Sequence, residues 1–131
     1  MIKVPDHIIA FKDEQTRSEF KKVKPRLQAF ILAAGAYMYF TFGVTLIVTD
    51  LIRDDPKSTH GHKNGVDFRT SNLTDYQGDA LVKFMKWQFP YYLKTTAKTR
   101  IRYSIRDERK PGTSKNWTAP HIHGQVNWRE D

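Results

Sequence analysis

Four of the five histidines stand in two His-x-His pairs, His60/His62 and His121/His123. Random scattering of five histidines over a chain of this length gives roughly 0.15 such pairs, so two of them need a cause. Residues two apart on a β-strand face the same side, which lets His121 and His123 project into one cleft. Between the pairs, Val66-Asp67-Phe68-Arg69-Thr70 reads as a short strand with Val66 and Phe68 on one face and Asp67 on the other. Zinc takes imidazole nitrogen and carboxylate oxygen at about 2.0–2.2 Å, and a catalytic zinc keeps three protein ligands and one open position. Two His and one Asp meet that description. The chain has no cysteine, so thiolate metal sites and disulfides are excluded. Taken separately, each pair is equally explained by solvated loop histidines and an exposed strand edge, and His62 stays open between a solvated side chain and a substrate contact. Asp54, Asp55, Asp107 and Glu108 read as solvated loop carboxylates.

The elements that must position these residues follow from periodicity. Asp13 to Lys24 is charged and leads into a first helix, with Pro25 tolerated near its start. Leu27 to Thr49 is an uncharged run of 23 residues, long enough to span a bilayer. Its character changes along its length: Leu27, Phe30, Ile31, Ala34, Tyr37 and Met38 recur at helical spacing, whereas Val44 to Thr49 is short and β-branched. A core helix, a break at Thr41-Phe42-Gly43 and a central strand are therefore expected rather than a membrane span. Asp54 to Gly65 is polar and rich in turn formers, as an exposed loop would be. Thr74 to Phe89 suits an amphipathic helix capped by Thr74 or Asp75 and stopped by Pro90. Ile101, Tyr103 and Ile105 alternate with Arg100, Arg102, Ser104 and Arg106 as on one strand; Asp107 to Asn116 reads as a polar loop, and Ile122 to Trp128 as a final strand.

With 131 residues, 39% of them hydrophobic, one domain covering 1–131 with its own core is expected. The net charge of +8, with pI near 9.8, favours anionic polymers, among them nucleic acid and an anionic cell wall. Trp87, Tyr91, Tyr92, Lys94, Lys98, Arg100, Arg102 and Tyr103 support a nucleic-acid-binding reading, but that reading leaves the histidine pairs and Asp67 without a role. Met1 to Asp6 carries no pattern of a signal peptide, so synthesis in the cytoplasm is expected.

The segment Ser58-Thr59-His60-Gly61-His62-Lys63-Asn64-Gly65-Val66-Asp67-Phe68-Arg69 resembles the first metal motif of the zinc peptidases that include D-alanyl-D-alanine carboxypeptidases, phage endolysin peptidases, lysostaphin-like enzymes and hedgehog domains. The nearest members carry Ser-x-His, six residues, then Asp, the interval of His60 and Asp67. Pro120-His121-Ile122-His123 is similar to the later His-x-His that closes the site in that group. The resemblance extends over Val23 to Phe68 and again near His121. It implies zinc held by His60, Asp67 and His123, a catalytic role for His121, and substrate contacts from Arg53 and Ser58. The chain departs from the pattern in two places. Lys63 stands where a glycine is usual, and no carboxylate precedes the final histidine in Trp117-Thr118-Ala119-Pro120-His121, where carboxypeptidase members place a catalytic Glu.

The resemblance thus implies an α+β, hedgehog/DD-peptidase-like fold, a small antiparallel sheet with flanking helices, in a monomeric zinc peptidase acting on peptidoglycan peptides. A cytoplasmic lysin of this kind reaches the wall after release, with its basic surface retained on anionic wall polymer. A nucleic-acid-binding protein and a non-catalytic zinc-binding domain of the same fold are the alternatives.

Overall fold

The computed structural model describes residues 5–52, 65–94, 99–113 and 119–126. Strand β1 spans Ile9–Phe11, helix α1 Glu14–Glu19, helix α2 Pro25–Phe42, β2 Leu46–Asp50, β3 Gly65–Arg69, helix α3 Asp75–Gln88, β4 Pro90–Lys94, β5 Thr99–Tyr103, β6 Ile105–Glu108 and β7 His121–Gln125. The architecture is α+β: a five-stranded sheet in the order β1-β2-β3-β7-β6, a separate β4-β5 pair, and three helices.

The uncharged run divides as its composition requires. Pro25 occupies the first turn of α2, where its missing N–H costs nothing. The helix ends at Gly43, whose φ of 68° is left-handed and whose N–H reaches the Tyr39 carbonyl at 2.8 Å. β2 then starts at Leu46. No helix among the described residues is long and apolar enough to cross a membrane. At α3, Thr74 accepts from the Gln77 N–H while the Gln77 side chain accepts from the Thr74 N–H, a reciprocal capping box.

Three expectations are corrected. The sheet is mixed, because β1 pairs in parallel with β2 while the other pairings are antiparallel. The expected strand through Ile101–Arg106 is broken at Ser104: β5 pairs with β4, whereas β6 joins the main sheet against β7. The Ser104 hydroxyl donates to the Met85 carbonyl at 3.3 Å, and Ser104 O accepts from the Gln125 N–H at 2.7 Å, anchoring this corner. Finally, Asp107 and Glu108 belong to β6 rather than to a loop.

One sheet face packs on the helices. Val66, Phe68, Ile105 and Ile122 are fully buried with Leu27, Phe30, Ile31 and Met38 of α2 and Leu81 and Met85 of α3. Tyr37 and Phe84 stack at 4.0 Å across the seam between the helices. Gly124 lets β7 approach α2, since a Cβ there would meet the Phe30 ring and Val66 side chain. The register Val66↔Gly124, Phe68↔Ile122 and Ile105↔Gly124 keeps these residues on the core face, so Asp67, His121, His123 and Glu108 turn to the other one.

Arg109 ties the end of β6 to the start of α3, with Nε on Asp107 Oδ1 at 2.8 Å, Nη2 on Asp79 at 2.5 Å, and Nη1 on the Asp75 carbonyl at 3.2 Å. Its hydrogen bond holds the Asp107 carboxyl below the usual carboxylate value. Asp13, which caps α1, is lowered likewise, first by the Thr16 backbone N–H and then by its hydroxyl.

Gly124→Ala is expected to lower stability by about 1–3 kcal/mol in denaturant unfolding, since the Phe30 contact must give way. Because Asp107 titrates lower folded than unfolded, its contribution is complete above about pH 4 and is lost as pH falls through the depressed value. Unfolding of wild type and Asp107→Asn should therefore differ at pH 7 and converge on acidification.

Candidate functional site

The polar face of β3, β7 and β6 collects the side chains of interest. Asp67 is the Cα partner of His123, Arg69 of His121, Arg106 of His123 and Glu108 of His121. Asp67, His123, Glu108 and Gln125 are buried, and His121 retains 21% side-chain exposure, which leaves it the accessible member.

The hydrogen bonds orient both imidazoles. His121 Nδ1 lies 2.8 Å from the Ala119 carbonyl, an acceptor only, so this nitrogen carries a proton. Its Nε2 is then turned inward, 2.5 Å from Glu108 Oε2 and 3.9 Å from Asp67 Oδ1. The Asp67 carboxylate accepts from His123 Nδ1–H at 2.9 Å, and His123 Nε2 lies 3.1 Å from Gln125 Oε1. Glu108 Oε1 in turn faces Arg106 Nη2 at 3.7 Å. Each ring thus turns one nitrogen to a carboxylate, His121 Nε2 to Glu108 and His123 Nδ1 to Asp67, and the other to a carbonyl or amide oxygen.

The Asp67 carboxylate stands beside both imidazoles. Donors at 2.0–2.2 Å around a tetrahedral ion lie roughly 3.4 Å apart. Asp67 Oδ1 is 2.9 Å from one inward nitrogen and 3.9 Å from the other, on either side of that value. Among the described residues no group of three or more His, Asp or Glu side chains is arranged so that it could hold a metal ion.

The structure brings together Asp67, His121 and His123 of the residues singled out by sequence. Arg53, Ser58, His60 and His62 lie outside the described residues. The residue missed by sequence is Glu108, whose place in the chain reads as a solvated loop carboxylate. It is 5% exposed at its side chain and pairs directly with His121. Thus a carboxylate does stand at the final His-x-His, delivered from the neighbouring strand rather than from the preceding residues. Gln125, on the same face of β7, was likewise unanticipated; its signal was the continued period of two from His121. Of the residues behind the nucleic-acid reading, Tyr91 and Arg102 are Cα partners in the β4-β5 pair, and Lys98 lies outside the described residues.

Neither a protein-family model, nor a curated protein, nor a solved structure matches the chain significantly.

Removing the Asp67 carboxylate takes a charged partner from buried His123 Nδ1. Asp67→Ala is therefore expected to cost about 1–3 kcal/mol of stability, read as a lower denaturant midpoint with an unchanged slope.

Proposed function

We propose that the chain is a zinc-dependent peptidase of the hedgehog/DD-peptidase-like kind, acting on peptide bonds of bacterial peptidoglycan in the manner of a phage endolysin. The observation that carries this reading is the convergence of Asp67 with His121 and His123, from segments far apart in sequence, beside buried Glu108. The motif interval of His60 and Asp67 supports His60, Asp67 and His123 as the zinc ligands, with Arg53 and Ser58 contacting substrate. Zinc bound there would supply a water of pKa about 7 and polarise the scissile carbonyl.

The chain's own residues supply the proton chemistry. His121 is accessible and its Nε2 shares a proton with Glu108 Oε2 at 2.5 Å, so the Glu108–His121 pair would take a proton from the attacking water and return it to the leaving amine. The Ala119 carbonyl holds the ring through Nδ1, and Glu108 balances the positive charge that the doubly protonated ring carries. The basic surface favours residence on an anionic wall polymer.

Purified protein should contain stoichiometric zinc and release peptides from peptidoglycan, and His123→Ala should lose both. Glu108→Gln should retain zinc while hydrolysis falls by roughly 100-fold or more, in the range for losing acid–base assistance. Zinc without hydrolysis in the wild type would favour a non-catalytic zinc-binding domain. Absence of zinc with tight, salt-sensitive nucleic-acid binding would favour the nucleic-acid reading.

A further inference from the structure

A cavity of about 470 Å³ opens beside the polar cluster, within the size range of small-ligand clefts, about 300–1,000 Å³. Arg69 and Thr70 at the end of β3 form one wall, and Ala119 and Pro120, which run directly into His121, form another. The start of α3, with Leu73 and Asp75, and the guanidinium of Arg109 complete it.

The two arginines differ in what they can still bind. Arg109 donates to Asp107, Asp79 and the Asp75 carbonyl and serves as a fixed wall. Arg69 is exposed, has no ion pair among the described residues, and is the Cα partner of His121. Thr70 is 8% exposed and lines the cavity, and its hydroxyl has no hydrogen-bond partner among the described residues. A buried hydroxyl without a partner is costly, and a ligand oxygen or N–H in the cavity would satisfy it. The amino end of the 14-residue α3 adds positive partial charge to the same space.

We propose that this cavity is a subsite for a carboxylate-bearing residue of a peptide, held by Arg69 and the Thr70 hydroxyl next to His121. The assignment rests on the peptidase reading for its connection to cleavage. A guanidinium fork matches a carboxylate in two parallel hydrogen bonds. Asp75 lines the cavity as well, and an occupant with an N–H donor beside its own carboxylate suits that neighbour. An acidic or C-terminal peptide residue does this, whereas inorganic phosphate does not. Leu73, Ala119 and Pro120 offer apolar contact to its aliphatic stem.

The test is a titration of the full chain with N-acetyl-alanyl-glutamate, its diamide and inorganic phosphate, followed by the amide NMR signals of residues 69–75, Ala119 and His121. The acid should shift these signals saturably, with at least roughly tenfold weaker binding for the diamide and for Arg69→Gln, the scale of losing a charge-assisted hydrogen bond. Equal binding of acid and diamide, equal binding by Arg69→Gln, or preference for phosphate would overturn the subsite. Selective binding of the acid by a protein that hydrolyses no peptide bond would retain the subsite and reject the peptidase reading. Hydrolysis of muropeptides without preference for the free carboxylate would reject the subsite alone.

Discussion

The polar face depends on the register between β3 and β7. Pairing Asp67 with His123 and Phe68 with Ile122 separates the two faces of the sheet completely. Because side chains alternate with a period of two, a slip of one residue would turn His121, His123 and Asp67 into the helices and expose Phe68 and Ile122. What holds the register is apolar packing: Phe68 and Ile122 are fully buried, and Gly124 admits Phe30 at a place where any side chain would obstruct it. The core therefore positions the candidate chemistry although none of its residues take part in it.

Burying Asp67 and Glu108 in this layer is costly unless each is matched by positive charge or donors. His123 lies against Asp67, while His121 and Arg106 flank Glu108. Such an arrangement contributes little to stability compared with an apolar core of similar volume, which is a reason to assign it to function. At the same end of β6, Arg109 binds Asp107 and Asp79 and joins sheet to helix. Adjacent residues of one short strand thus divide their roles: Glu108 serves the polar face, whereas Asp107 and Arg109 secure the frame around the neighbouring cavity.

Local signals were legible in the sequence. The helix over Leu27 to Met38, the break at Gly43, the cap at Thr74 and the opposed faces of Val66-Asp67-Phe68 all rest on periodicity or turn chemistry within a few residues. The same period of two placed His121 and His123 together. Glu108 was illegible because its role is set by the pairing of β6 with β7, across an intervening turn, and a charged residue near Pro111-Gly112 looks like part of a loop. β1 was missed for a similar reason: three residues carry no period, and Ile9 becomes core only through parallel pairing with β2. The break at Ser104 escaped notice because alternation continues through it while the pairing partner changes from β4 to β7.

The central claim is that His123 and the Asp67 carboxylate hold one zinc ion, with His60 as its third ligand. X-ray absorption at the zinc edge, on protein loaded with one equivalent, tests this most directly. The account predicts nitrogen and oxygen neighbours at about 2.0–2.1 Å with the outer scattering of coordinated imidazole, lost in His123→Ala. A spectrum of oxygen neighbours alone, unchanged by that substitution, would contradict it.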